Sequence, residues 1–175
     1  MSSVVISGDT SGAITLAAPA VAGTNTINLP AATGTVMVSG NMPAFSAYGG
    51  SVSASSGVNT KIPFNAERFD TANAYDSVTN FRFQPLVAGY YQINGTIGVQ
   101  AGTGIFELDF YKNGANYIYG TTVPNNVSSG PQVCISTLVY LNGSTDYFEC
   151  YGYQNSGTSK TMIGYDFSGS LVRTA

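Results

Sequence analysis

Apolar and polar positions alternate with a period of two through most of the chain beyond residue 43, and that rhythm predicts strands. Over Gly89–Gln100, Tyr91, Ile93, Ile97 and Val99 fall on one side and Gln92, Asn94, Thr96 and Gln100 on the other. This is the pattern of a half-buried antiparallel strand. Next, Phe106, Leu108 and Phe110 alternate with Glu107 and Asp109. Asn113-Gly114 follows, a dipeptide favoured in two-residue hairpin turns, and it predicts a return strand near Asn116–Thr121. A third pair is predicted as Val133–Leu141, a turn through Asn142-Gly143-Ser144, and a return over Asp146–Tyr153. Here both faces are apolar: Val133, Ile135, Val139 and Leu141 face one way, Cys134, Leu138 and Tyr140 the other. Such a strand is expected to be covered on both sides, by the opposing sheet and by a neighbouring subunit. A last strand over Ile163–Arg173 brings the total to about eight to ten, which suits a sandwich or jelly roll.

The first 40 residues do not follow this rhythm. They carry one charge, Asp9, and no aromatic residue, and Pro19 and Pro30 break their short runs. A weak echo links Ala18-Pro19-Ala20-Val21-Ala22-Gly23-Thr24 to Leu29-Pro30-Ala31-Ala32-Thr33-Gly34-Thr35. A segment so poor in large side chains cannot fold alone, so it needs a partner surface or copies of itself. A disordered linker is the other reading of that composition.

Composition sharpens the picture. Of 175 residues only 9% are charged, about a third of the usual ~25%. With 21 Gly and 12 Tyr, hydroxyls and amides must cover the surface, which favours strands, turns and assembly over helices. A head of roughly 130 residues buries about two thirds of its unfolded surface and needs no staple. The net charge is −3, and Lys61, Arg68, Arg82, Lys112, Lys160 and Arg173 are scattered, which argues against nucleic acid and anionic membranes as partners. No run of apolar residues is long enough to span a membrane, and Met1-Ser-Ser-Val lacks the features of a signal peptide. The expectation is a soluble chain made in a cytoplasm, with Cys134 and Cys150 as thiols. If the Asn142 turn closes a two-residue hairpin, Cys134 falls opposite Tyr151 and Cys150 points to the other face; a loop one residue different reverses this.

The absence of His removes Ser-His-Asp and Cys-His nucleophile activation and imidazole metal sites. Glu107 and Asp109 share a strand face and have the chemistry of a glycosidase pair or a calcium site, but a solvated face is the favoured reading. Asp70, Asp76, Asp146 and Asp166 are read first as turn formers. The triplets Asn94-Gly-Thr, Asn126-Val-Ser and Asn142-Gly-Ser mean little without a secretion signal. Tyr117, Tyr119, Tyr151, Tyr153 and Tyr165, among Asn, Gly and Ser, have the chemistry of recognition surfaces and of stacking on sugar faces. Packing in the core or between subunits is the alternative for the same rings.

Six stretches then align in order: AFSAY (Ala44–Tyr48), KIPFNAERFDTANAYD (Lys61–Asp76), FQPLVAGYYQI (Phe83–Ile93), LDFYKNG (Leu108–Gly114), LVYLNGSTDYFECYGY (Leu138–Tyr153) and FSGSLV (Phe167–Val172). Together they resemble the globular head of the complement C-one-q family, which shares its trimeric jelly roll with tumour necrosis factor. The resemblance implies a ten-stranded antiparallel jelly-roll sandwich over residues 43–175, with Phe83, Gly89, Tyr91 and the closing Phe-Ser-Gly strand at its centre. It implies a homotrimer, with Tyr91, Leu138, Tyr140, Phe167, Gly169 and Leu171 as interface candidates and Ser168 and Ser170 permitting close approach. Some family members hold calcium near the trimer apex; no motif here fixes such a site, and no cofactor is expected. Residues 1–42 resemble the segments that precede such heads in bacteriophage virion proteins, including tail fibres and capsid-attached fibres, and no collagen repeat is present. The expected protein is a homotrimeric virion surface protein, anchored to other virion proteins through residues 1–42, whose head binds host polysaccharide or protein. A decoration or cement protein that binds no host is the alternative. A glycan-cleaving enzyme built on Glu107 and Asp109 is the weakest.

Overall fold

The computed structural model of the chain describes residues 3–21, 23–27, 31, 33–34, 36–126 and 130–175. Residues 28–30 of the leader, much of the second copy of its echo, and Val127 and Ser128 of the Asn126 triplet lie outside these. Met1–Gly34 and Thr35–Ala175 form two compact units. In the first, β1 (Ser3–Ser7) and β2 (Ala13–Ala17) make an antiparallel hairpin. Val4 pairs with Leu16 and Ile6 with Ile14, so these four aliphatics share one exposed face, with Val5 exposed on the other.

The second unit contains β3 (Ala44–Tyr48), β4 (Ser51–Ala54), β5 (Thr60–Lys61), β6 (Ala66–Asp70), β7 (Tyr75–Asp76) and β8 (Arg82–Phe83). There follow β9 (Gly89–Val99), β10 (Ile105–Lys112), β11 (Ala115–Pro124), β12 (Gln132–Leu141), β13 (Phe148–Gln154) and β14 (Lys160–Thr174). One sheet runs β12-β9-β14-β3-β6, with β4 also on β14; the other runs β11-β10-β13-β8-β7, with β5 on β13. The pairings are antiparallel, and the two sheets form a jelly-roll sandwich. The alternation in β9 is the one its sequence predicts, with Tyr91, Ile93, Ile97 and Val99 all buried. The Asn113-Gly114 turn also forms, with φ of 55° and 77° at its two residues, the left-handed backbone that this dipeptide tolerates.

The space between the sheets is filled with rings. Phe45 stacks on Phe83 at 4.3 Å and meets Phe167 edge-on at 5.1 Å, while Phe110 packs on Phe148 at 5.1 Å. Burying each ring contributes on the order of 2–3 kcal/mol. β14 is the central strand of its sheet and carries Phe167 and Leu171 into this core. Gly169 makes room for the packing, since a Cβ there would sit 2.4 Å from Ile93 Cδ1 and 3.0 Å from Phe45 Cε1.

These placements change the interface expectation. Tyr91, Phe167, Gly169 and Leu171 point between the chain's own two sheets and are closed to a neighbour. Leu138 and Tyr140 point out of β12, 51% and 40% exposed.

The expected hairpin of β12 and β13 does not form. β12 pairs with β9 from Gln132↔Gly98 to Leu141↔Gly89, whereas β13 pairs with β10, so the chain crosses from one sheet to the other between them. Asn142 organises the crossing: its Oδ1 accepts the backbone N–H groups of Ser144, Thr145 and Asp146, each at 3.0 Å. Its turn chemistry is real, but it serves a corner and not a strand reversal. Cys134 is therefore never opposite Tyr151. It is exposed on β12, Cys150 is buried on β13, and both thiols are free.

Replacing Phe167 with Ala should cost about 3–5 kcal/mol by opening a cavity among Phe45, Phe64 and Phe110. Urea unfolding monitored by tyrosine fluorescence measures this, and a loss below ~1 kcal/mol would contradict the central placement of the ring.

Candidate functional site

Two regions gather polar and aromatic groups where period-two patterning alone would leave a plain surface. The first is the outward face of the sheet containing β10. There Asp109 has Tyr119 of β11 on one side and Tyr151 of β13 on the other, with Glu107 and Tyr111 two residues away along its own strand. Tyr111 stacks on Tyr151 at 4.0 Å. Glu107 pairs with Tyr153, and Glu149 with Tyr111. The rings cover the middle of the face, so Asp109 is only 1% exposed. The solvated reading of the Glu107–Asp109 face therefore fails at Asp109, because bulky neighbours on both adjacent strands close over it.

The two buried carboxylates of this face are balanced differently. Glu149 is bonded to the Lys61 ammonium, which also donates to the Asn80 carbonyl at 3.3 Å. Asp109 accepts the Gly120 N–H at 3.2 Å and has the Glu107 carboxylate beside it. Burial foremost, and then Glu107, push Asp109 up to about 6, against the pull of the Gly120 N–H. Burial likewise pushes Tyr151 up to about 12 and raises Tyr111.

The second region is a cleft of about 520 Å³ beside β7 and β8, lined among others by Glu67, Asp76, Arg82 and Gln84. Arg82 lies over the Tyr147 ring at 4.3 Å and donates to Gln84 Oε1 at 2.8 Å. The backbone N–H of Thr79 first, with those of Val78 and Asn80 and the Asn80 amide, holds Asp76 down to about 2. Asp76 and Asp70 are turn formers, Asp70 accepting the N–H groups of Ala72 and Tyr75. Asp146 accepts the Asn142 N–H at 3.1 Å and pairs with Lys112 at 2.8 Å. Asp166 departs from the expectation. It lies within β14, paired with Arg68 at 2.9 Å, because a bulge turns it outward.

The five tyrosines proposed for recognition do not make one patch. Tyr119, 69% exposed, Tyr151 and Tyr153 share the Asp109 face. Tyr117 packs edge-on against Phe148 at 5.4 Å, so half of its ring serves the core. Tyr165 lies on the other sheet. The sequence reading missed Tyr111 and Lys61; Tyr111 carries a signal, two residues beyond Asp109, whereas Lys61 does not. Among the described residues no cluster of three or more His, Cys, Asp or Glu side chains could hold a metal ion, and no helix is long and apolar enough to cross a membrane.

No protein-family model matches the chain, and no curated protein matches it by sequence. Among solved structures it is similar to murine APRIL at pH 5.0, with a TM-score of 0.56 and 6% identity over 75% of this chain and 99% of that one. It is also similar to vertex protein P5 of PRD1, with a TM-score of 0.50 and 18% identity over 75% of this chain and 97% of that one. A second murine APRIL structure, at pH 8.5, gives 0.50 and 8% identity over 73% and 98%. At these identities the likeness is one of fold.

Asp109 predicts a pH dependence of stability. Its folded pKa lies above the ordinary carboxylate value, so the fold disfavours the charged form. The associated stability is fully present below about pH 4 and is lost as pH rises through about 6. Asp109→Asn, which keeps an acceptor for Gly120, should stabilise the chain by about 1–3 kcal/mol at neutral pH and by almost nothing near pH 4. Urea midpoints of variant and wild type at both pH values measure it; an equal difference at both would refute the buried charge.

Proposed function

We propose that this chain is a homotrimeric virion surface protein, attached to its particle by the N-terminal segment, whose head contacts the host surface. The observation that carries the reading is a group of exposed apolar and aromatic side chains at one end of the outward face of the β12-β9-β14 sheet. Leu138 and Tyr140 of β12 stand beside Tyr90 of β9, with the Tyr90 and Tyr140 rings 5.5 Å apart. Val172 of β14 adds a further exposed aliphatic. The neighbouring outward positions are Gln92, Asn94 and Ser136, bonded to one another through Gln92 Nε2 to Ser136 Oγ at 2.7 Å and Ser136 Oγ to Asn94 Oδ1 at 2.8 Å. Arg173 lies over the Tyr90 ring at 5.3 Å and Lys112 over the Tyr140 ring at 5.7 Å, so an apolar patch with a cationic rim sits beside a satisfied polar ladder, as suits an assembling subunit.

The fold shared with PRD1 vertex protein P5 supports the virion assignment. The exposed Val4, Ile6, Ile14 and Leu16 face of the β1–β2 hairpin is suited to docking, since an isolated two-stranded hairpin is marginal in water. The reading is non-enzymatic: without His, the Glu107–Asp109 pair is the remaining candidate for bond cleavage, and Asp109 lies under tyrosine rings.

Sedimentation of the purified chain should give a trimer, and Leu138→Arg combined with Tyr140→Arg should shift it to a folded monomer. A wild-type monomer at micromolar concentration counts against the assembly. Labelled wild-type protein should adsorb to host cells. Loss of particle stability on deletion, with no adsorption to any host, would favour the decoration reading instead.

A further inference from the structure

A second hollow, of about 330 Å³, lies on the outward face of the β12-β9-β14 sheet at the end away from Tyr90. Its floor is Gly98 of β9, flanked in register by Gln132 of β12 and Ile163 of β14. The register of β14 slips between Gly164 and Asp166, which makes Tyr165 the extra residue of a β-bulge. Bulges bend the strand and re-aim a side chain, and they concentrate beside functional sites. This one lays the Tyr165 ring across the bare Gly98 backbone: a Cβ at Gly98 would sit 2.6 Å from Tyr165 Cε2. The ring remains 41% exposed.

The hollow is built before any ligand arrives. The Val99 N–H donates to the Pro131 carbonyl at 3.1 Å and the Gln100 N–H to the Thr161 carbonyl at 2.8 Å, tying two walls to the central strand. Gly130, at φ of 72°, passes so close to β9 that a Cβ would lie 2.1 Å from the Val99 carbonyl oxygen. The polar groups on the walls are the amides of Gln100 and Gln132 and the hydroxyl of Thr161, and among the described residues none that lines the hollow is charged. The cleft beside β7 and β8, by contrast, has Glu67, Asp76 and Arg82 in its lining.

We propose that this hollow binds a neutral sugar, the terminal unit of a surface polysaccharide. An aromatic face takes the apolar side of a pyranose, while paired amide donors and acceptors and a hydroxyl match its alcohol groups. The absence of charge disfavours uronate, sialylated or sulfated sugars, whose carboxylate or sulfate would be desolvated without a partner. The volume falls at the lower end of small-ligand pockets, ~300–1,000 Å³. Gly98 is eight residues along β9 from Tyr90, roughly 26 Å at ~3.3 Å per residue, so ligand and subunit contacts occupy opposite ends of one sheet.

The inference rests on the host-contact reading for its biological setting, but it is tested separately. The full chain is titrated with free neutral oligosaccharides of hexose and N-acetylhexosamine and with their uronate and sulfated counterparts, by calorimetry. Neutral ligands should bind. Tyr165→Ala and Gln132→Ala should each weaken binding roughly tenfold or more. Binding confined to acidic sugars, or insensitive to both Tyr165→Ala and Gln132→Ala, or absent for every sugar, overturns the proposal. Cell adsorption that persists unchanged in Tyr165→Ala likewise removes the pocket while leaving host contact standing. Neutral-sugar binding at Tyr165 in a chain that adsorbs to no cell keeps the pocket and removes host contact.

Discussion

The head depends on fitting large rings between two sheets that have almost no charge to orient them. Phe45, Phe64, Phe83, Phe106, Phe110, Phe148 and Phe167 are all buried, and close packing of this kind tolerates little change of volume. Small residues supply the clearance. Gly164 is one such place, where a Cβ would lie 2.7 Å from the Phe64 ring. With both cysteines free, shape and apolar burial hold the sandwich together.

The same packing separates the two faces of each sheet by chemistry. Inward positions are committed to the core, which is why Tyr91, Phe167 and Leu171 cannot also meet a partner. Outward positions are left to tyrosine, amide and hydroxyl groups in place of the usual Lys and Glu. Such groups bond to one another at little cost of side-chain entropy, as Gln92, Ser136 and Asn94 do.

Strand existence and facing were legible in the sequence wherever a period of two persisted, as in β9 and in β10 with its Asn-Gly turn. Pairing was not. Asn142-Gly143-Ser144 signals a turn whether the chain then returns beside its own strand or crosses to the opposite sheet, and only the register of β12 on β9 decides. Periodicity also says which side a residue faces, never whether that side is dry; the burial of Asp109 comes from Tyr119 and Tyr151, distant in sequence until strands align. The Tyr165 bulge was equally hidden, because a one-residue slip depends on two neighbours at once.

The central position of β14 also bears on how the molecule is made. β14 pairs with β3, β4 and β9, and it delivers Phe167 into the core. A nascent chain still lacking it would leave the edges of β3 and β9 bare and a ring-sized vacancy between the layers. The head can close no earlier than the moment this segment clears the ribosome, so its apolar strands must be kept from one another throughout synthesis, by speed or by a chaperone.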